Sequence, residues 1–327
     1  MVNVLLIGLG TTTLSALESL RSKCNVQGIV RNADTASNAD DPVVNLAKKV
    51  GIPIFTDASQ QNIKSLLLKF HPDCVVVSSY NQILPLELTT LSTFINVHYS
   101  PLPYYRGRAN VNWAIINDEP CAAITIHKII PELDGGNILF QKLIPIRFDD
   151  TVTNLYNQLN EIQRQYLGET VIKALNGYEG VSQNSAEATY CCTRLPEDGE
   201  INWSASTRSI DCLIRALVYP FPGAYTYFQG NKLLIWEAKP VNNPPNYIGR
   251  IPGRVIARSK TEGYVDVLAG DGVLRIFQAQ FEGEEKTAAA NLIKSVKSTL
   301  GLQMSDLLNR IQTLEAEITK LKEYYAK

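Results

Sequence analysis

The residue types that can do chemistry cluster between positions 94 and 136. Asn96 and His98 are two residues apart in a short apolar run, which predicts a strand over residues 94–98. Side chains two apart on a strand point to the same face, so an amide and an imidazole stand side by side at its end. Asp134 lies in a turn-forming run after a second apolar strand over residues 123–127, and that turn can bring a carboxylate over the imidazole.

These three side chains suit the transfer of a one-carbon acyl group to an amine. Negative charge grows on the carbonyl oxygen in such a reaction, and Asn96 can donate to it; losing such a donor costs about 3 to 4 kcal/mol. His98 can carry a proton near neutral pH, while Asp134 can orient the ring and favour its charged form. An Asn-x-His pair by itself also fits a structural histidine with satisfied hydrogen bonds.

The motif continues beyond the strand that carries Asn96 and His98. A Ser-Pro-Leu-Pro loop follows at residues 100–103, then Tyr-Arg-Gly at residues 105–107, and later the aspartate before glycine. Together these runs resemble the folate-dependent formyltransferase family, in which the loop is usually Ser-Leu-Leu-Pro, so Pro101 departs from the pattern on the folate side. The resemblance implies 10-formyltetrahydrofolate as the formyl donor and a catalytic set of Asn96, His98 and Asp134.

Within that family the chain is most similar to formyltransferases that act on nucleotide-linked amino sugars. The similarity rests on the runs at residues 105–109, 112–113, 125–127, 214–217 and 220–225. It implies these folate contacts: Gln82, Ile83, Leu84, Ser100, Ile130, Pro131, Glu132 and Leu133. It also implies that the acceptor is bound by Arg106, Gly107 and Arg108, although both arginines also fit solvated loop charges.

Length and composition predict an enzyme with two domains and a tail. The chain has 327 residues, 45% of them hydrophobic, which is enough for a sizeable core. A net charge of −1 gives no global basic field, so neither nucleic acid nor an anionic membrane is expected as a partner. Because no apolar stretch is long enough to span a bilayer and the first residues do not resemble a signal peptide, we expect a cytoplasmic protein.

The six cysteines show no paired spacing, and only three histidines accompany them. Most of the thiols lie in apolar contexts that favour small buried side chains. We therefore expect neither a metal site nor a disulfide framework.

The first part of the chain alternates strands and helices, which predicts a Rossmann-like α/β domain over residues 1–180 with a doubly wound parallel sheet. Strands are predicted at residues 2–8, 26–30, 53–55, 74–77 and 94–97, and helices at residues 12–22, 41–50, 62–70 and 151–175. Ligands of such sheets gather at the carboxyl ends of the strands, where Asn96, His98 and the loop at 79–85 lie. This placement supports the site independently of the resemblance.

A dinucleotide-binding oxidoreductase is the main alternative from another class, because Gly8 and Gly10 follow the first strand. The third glycine of that fingerprint is replaced by Thr13, and the second strand lacks the acidic residue that would hold a ribose. We interpret the two glycines as a tight turn between strand and helix.

From residue 189 onward, short strands and turns predominate. They predict a small open β-barrel of the oligonucleotide/oligosaccharide-binding type over residues 189–285, with strands at residues 232–238, 253–258, 264–268 and 273–278. Between residues 191 and 287 there are 11 basic and 11 acidic residues, whereas a tRNA-binding domain should be more basic.

This charge balance favours a nucleotide-linked amino sugar as the acceptor. Methionyl-tRNA formyltransferase has the same catalytic set and is the alternative. A hydrolase of formyltetrahydrofolate, with water as acceptor, would use the same residues. A non-catalytic binding protein is disfavoured because the set is intact.

The tail over residues 290–327 carries a heptad pattern. Ile311 and Ile318 occupy a positions, and leucines occupy the d positions at 307, 314 and 321, a choice that favours a parallel two-stranded coiled coil. We expect a homodimer through this helix. A single helix that folds back on its own enzyme is the alternative.

Overall fold

A computed structural model of the chain describes residues 1–38 and 40–325. They divide into two compact units, the first made of Met1–Ala114, Glu119–Asp150 and Asn154–Thr193, and the second of Ile115–Asp118, Thr151–Thr153 and Arg194–Lys327. The sequence-based domain limits stay predictions, and the last two residues of the tail at 290–327 lie outside the described residues.

Strands and helices alternate through the first part of the chain, as the sequence predicts. The strands are β1 Asn3–Ile7, β2 Asn25–Val30, β3 Ile54–Phe55, β4 Cys74–Ser78, β5 Thr93–His98, β6 Arg106–Gly107, β7 Cys121–Lys128, β8 Ile138–Pro145 and β9 Tyr190–Cys191. The helices are α1 Thr13–Arg21, α2 Ala33–Ser37, α3 Pro42–Val50, α4 Gln60–Phe70, α5 Leu86–Thr89, α6 Asn110–Ile116 and α7 Val152–Leu175. The sequence patterns did not predict α2, α6 or β8.

Seven strands form one sheet in the order β3, β2, β1, β4, β5, β7 and β8. The pairs from β3 to β5 are parallel. β7 pairs antiparallel with both β5 and β8, so the predicted parallel sheet is correct for β1 to β5 and wrong at this edge. The connection from β7 to β8 is a turn without a crossover helix, and only antiparallel neighbours can be joined by so short a connection.

Continuous apolar strands form the core of this unit. All five residues of β4 are buried, which is typical of a parallel strand covered on both faces. Ile63, Leu66 and Leu67 of α4 pack in one cluster with residues of β1 and β4. The carboxyl ends of β1, β4 and β5 are thereby held at one edge of the sheet.

Local sequence signals account for the limits of α3. The side chain of Asp41 accepts from the backbone N–H groups of Val43 and Val44, and Pro42 occupies the first turn. Gly51 ends the helix in the left-handed region at φ 75°.

The second unit is built around an antiparallel sheet. Its strands are β10 Ala224–Phe228, β11 Asn231–Pro240, β12 Val255–Arg258, β13 Val265–Leu268, β14 Val273–Phe281 and β15 Thr287–Ala288, and its helices are α8 Thr207–Ala216, α9 Ala289–Leu292 and α10 Met304–Tyr325. The order is β10, β11, β14, β13 and β12, with β15 beside β14. The four predicted strands are present, whereas α8 was not predicted. Closure of this sheet into a barrel stays a prediction.

The tail forms one continuous helix, α10, with an exposed apolar stripe. Leu307 and Ile311 are 38% and 50% exposed, and Ile318 is 50% exposed. No helix in the described part of the chain is both long and apolar enough to cross a membrane.

Candidate active site

Asn96 and His98 lie on β5, and the antiparallel partner β7 places His127 directly opposite Asn96. The backbone carbonyl of Lys128 accepts from His127 Nδ1 at 2.9 Å. In its neutral form His127 accepts at Nε2 from the Asn96 amide, whose Nδ2 is 3.1 Å away. One N–H of Asn96 is held in this contact.

The imidazole of His98 is oriented by the loop that follows β5. Its Nε2 donates to the backbone carbonyl of Tyr105 at 2.9 Å. Nδ1 therefore faces the carboxylate of Asp134, with 3.6 Å between Nδ1 and Oδ2. His98 is buried, with 6% of its surface exposed.

Asp134 occupies the turn between β7 and β8 and has a left-handed backbone with φ 50°. Its Oδ2 accepts from the backbone N–H of Gly107 at 2.9 Å. Its Oδ1 is 3.6 Å from His127 Nε2 and 3.5 Å from Asn96 Nδ2. The carboxylate thus lies between two imidazoles, and the predicted set of Asn96, His98 and Asp134 is brought together.

The buried cluster lowers the pKa values of both Asp134 and His98, but for different reasons. Burial alone raises the pKa of Asp134, but His98, His127 and the N–H of Gly107 outweigh it and hold that pKa well below its usual range. Burial lowers the pKa of His98, and this effect exceeds the opposing influence of Asp134. Near neutral pH the site therefore contains a carboxylate and a neutral imidazole, which can accept a proton.

A cavity of about 630 Å³ opens beside this cluster within the first unit. Its lining includes the three predicted catalytic residues and the following residues of the predicted ligand set: Gln82, Ile83, Leu84, Gly107, Arg108, Ile130, Pro131, Glu132 and Leu133. Ile83 is 76% exposed and Leu133 47% exposed, so the rim offers apolar surface to a flat ligand.

The structure describes every residue of the predicted set. Ser100 and Arg106 lie outside the lining of this cavity, and the other members line it. The hydroxyl of Ser100 donates to the backbone carbonyl of Tyr104. Arg106 is completely buried, and its guanidinium donates to Glu132 and Gln183. Its burial corrects the interpretation of Arg106 as a solvated loop charge, whereas a contact of Arg106 with the acceptor stays a prediction.

Sequence patterns missed His127 as a member of the site. The sequence predicts only that His127 lies in a strand, yet its side chain contacts Asn96 and lies beside Asp134. The pairing of β5 with β7 is what identifies His127, since opposite residues of antiparallel strands point to the same face. Single-strand periodicity does not contain that information.

Comparisons with known proteins identify the family. Residues 9–171 match the family model for formyl transferase, and residues 195–297 match the formyl transferase C-terminal domain. A methionyl-tRNA formyltransferase of Caldanaerobacter subterraneus subsp. tengcongensis is 37% identical over 251 residues, which are 75% of this chain and 79% of that protein. The chain belongs to the formyl transferase family. The resemblance found in the sequence is thereby confirmed, and this formyl transferase is an enzyme of formyl transfer.

Solved structures share the fold of this formyl transferase. An N-formyltransferase from Helicobacter canadensis, in complex with folinic acid and dTDP-3-aminofucose, has a TM-score of 0.62 at 21% identity and covers 86% of this chain and 100% of that one. HypX from Aquifex aeolicus, in complex with tetrahydrofolic acid, has a TM-score of 0.61 at 17% identity and covers 90% of this chain. The match spans 47% of HypX, about half its length.

Within residues 1–38 and 40–325, no group of three or more His, Cys, Asp or Glu side chains is arranged to hold a metal ion.

Proposed function

We propose that this formyl transferase moves the formyl group of 10-formyltetrahydrofolate to the primary amine of a nucleotide-linked amino sugar. The observation that carries the proposal is the convergence of Asn96, His98 and Asp134 on one cavity. The amine nitrogen bonds to the formyl carbon, the bond from that carbon to the folate nitrogen breaks, and a proton moves from the amine to the departing nitrogen.

Each of the three residues meets one need of this reaction. One N–H of Asn96 is held by His127. The other makes a long contact of 3.5 Å with Asp134, which it can exchange for the oxyanion that develops on the formyl oxygen. Neutral His98 accepts the proton of the attacking amine and returns it to the leaving nitrogen. Asp134 stabilises the imidazolium that exists between these steps.

The folate side of the cavity is proposed at residues 82–84 and 130–133. Apolar side chains such as Ile83 and Leu133 suit the faces of a pterin ring, and Gln82 can bond to its edge. HypX with tetrahydrofolic acid and the Helicobacter canadensis enzyme with folinic acid, both of the same fold, support a folate donor.

The acceptor side is proposed near Gly107 and Arg108. Arg108 lines the cavity with an exposed side chain, and a guanidinium suits the phosphates of a nucleotide sugar. The equal numbers of acidic and basic residues between 191 and 287 argue against a tRNA surface. The dTDP-3-aminofucose held by the Helicobacter canadensis enzyme supports an amino sugar as the acceptor.

Methionyl-tRNA is the second candidate acceptor, favoured by the 37% identity to a methionyl-tRNA formyltransferase. To separate the two, the purified chain is incubated with 10-formyltetrahydrofolate and 3-amino or 4-amino nucleotide sugars, or with Met-tRNA. Release of tetrahydrofolate and the mass of the product are followed, with His98→Ala as the inactive control. Formylation of one sugar supports the proposal, formylation of Met-tRNA overturns it, and release without acceptor indicates a hydrolase.

A parallel homodimer through α10 belongs to the same proposal. The seam residues Leu307, Ile311, Leu314, Ile318 and Leu321 are 38–56% exposed. Parallel pairing brings Arg310 against Glu315 of the second copy and Glu317 against Lys322, which are two attractive pairs on each side.

A further inference from the structure

A short segment after α7, residues 183–190, lies against the two loops that form the active site; we call it the strap. It falls between the two family matches, which end at residue 171 and resume at residue 195. The backbone N–H of Arg106 donates to the carbonyl of Thr189 at 2.8 Å. The hydroxyl of Thr189 accepts from the backbone N–H of Tyr105 at 2.9 Å.

Gln183 of the strap connects three parts of the site. Its Nε2 donates to the backbone carbonyls of Asp134 and Gly136, both at 2.7 Å. Its Oε1 accepts from Arg106 Nη2 at 2.9 Å. Carbonyls only accept and a guanidinium only donates, so the orientation of this amide is fixed by its partners.

Arg106 anchors the start of the turn over residues 132–136, which carries Asp134. The completely buried guanidinium donates from Nη1 to Glu132 Oε1 at 2.5 Å. The hydroxyl of Ser185, also in the strap, donates to the same oxygen at 3.0 Å. Residues 132–136 are therefore held at both ends by the strap and Arg106.

The turn over residues 132–136 needs contacts from outside to hold Asp134 in place. The left-handed backbone at φ 50° is unfavourable for a residue with a side chain, so surrounding contacts must maintain it. Two residues later, a Cβ at Gly136 would lie 1.8 Å from the carbonyl oxygen of Lys128, which shows how closely the turn approaches β7. A change in the backbone of this turn moves the carboxylate relative to His98.

We propose that Gln183, held by Arg106, is a positioning residue that keeps the Asp134 carboxylate beside His98 during formyl transfer. The reaction named here rests on the proposed function, whereas the placement of Asp134 rests on the contacts of the strap. Gln183 acts through Asp134 and does not need to touch a substrate.

The substitution Gln183→Glu changes one of the two contacts of the Gln183 amide and keeps the other. Glutamate keeps an acceptor for Arg106, but it replaces the amide that donates to two carbonyls with a carboxylate that repels them. Gln183→Met removes both contacts at similar volume. The matched control is Asn184→Ala. Asn184 is an exposed neighbour in the strap whose side chain hydrogen-bonds to Ala186 and Glu187.

The first readout does not depend on activity. The chain has three histidines, His71, His98 and His127, so their imidazole pKa values can be followed by NMR, with His71→Asn to aid assignment. Asp134, His127 and Arg106 are the charged or titratable groups that act on His98, and of these Asp134 raises its pKa. Gln183→Met is expected to lower the pKa of His98, in the direction of Asp134→Asn, and Asn184→Ala to leave it unchanged. Gln183→Glu adds a negative charge that itself raises this pKa, so that variant is compared by kcat alone.

The second readout is catalysis. Displacing a group by a fraction of an ångström to one ångström lowers kcat by roughly tenfold to a hundredfold, and we expect that range for both Gln183 variants. An unchanged pKa of His98 in Gln183→Met overturns the positioning role, as does wild-type kcat in that variant. If the wild-type chain formylates no acceptor, the proposed function fails, while the NMR titration still decides whether Gln183 positions Asp134.

Discussion

At the scale of single residues, the chemistry of the site depends on the charge states of Asp134 and His98, which are buried next to each other. The pKa of Asp134 is held well below its usual range, so Asp134 is charged near neutral pH. The pKa of His98 is lowered by burial and partly restored by Asp134. We therefore expect the titration of His98 to limit activity on the acid side, because only the neutral ring can accept a proton.

Asp134→Asn tests this division of roles. Removing the negative charge takes away the main influence that raises the pKa of His98, so that pKa falls further. The acid limb of the profile of kcat/KM against pH then moves to lower pH, while kcat falls by about a hundredfold or more because the imidazolium is no longer stabilised. Asp149→Asn, at an exposed carboxylate, is the control. A limb that stays in place or moves to higher pH would contradict the assignment.

At the scale of elements, the start of α3 combines a helix cap with a buried ion pair. Oδ1 of Asp41 accepts from Val43 and Val44, both at 2.9 Å. Its Oδ2 pairs with Arg31 at 2.7 Å, and Arg31 is 1% exposed. The start of α4 has only a cap, in which Ser59 accepts from Asn62.

Asp41→Ala and Ser59→Ala form a matched pair of substitutions at these two helix starts. Loss of a cap alone costs about 1 kcal/mol, which is the expectation for Ser59→Ala. Asp41→Ala also leaves the buried guanidinium of Arg31 without its carboxylate partner, which costs about 3 to 5 kcal/mol, although its bond to the carbonyl of Gly8 remains. Urea unfolding followed by circular dichroism measures both losses. Equal losses would show that the contact between Arg31 and Asp41 contributes little.

At the scale of the whole molecule, the proposed dimer depends on α10. Ile311→Lys with Ile318→Lys places charges in the apolar seam and should convert a dimer into a monomer, as measured by light scattering after gel filtration. Thr313→Lys with Thr319→Lys adds the same charges outside the seam and should leave the mass unchanged. A wild-type chain that is already monomeric at micromolar concentration would rule out a stable dimer.

The direction of the two helices can be tested separately. In a parallel dimer, two copies of residue 304 lie opposite each other at one end of the seam, so Met304→Cys should form a disulfide between copies on oxidation. An antiparallel pair places residue 304 near the opposite end of the partner helix and should not. The unsubstituted chain measures the background from its own exposed Cys192.

Local patterns were enough to predict much of the fold. Strands such as β4 and helices such as α3 follow from apolar runs and caps, which depend only on neighbouring residues. The spacing of Asn96 and His98 placed both on one face of β5, because alternation along a strand has a fixed period. The same reasoning placed β7 but not β8. It also missed the antiparallel pairing of β7 with β5 and β8, because the direction of a pair depends on how the chain reverses between the strands.

The sequence by itself determined which residue types are available for formyl transfer and which strand and turn carry them. Only the tertiary structure decided that His127 lies against Asn96, that Arg106 is buried, and that Gln183 holds the turn of Asp134. The physical reason is distance along the chain. These contacts join residues 26 to 77 positions apart, and neither hydrophobic period nor turn chemistry specifies which distant side chains meet until the sheet has brought their loops together.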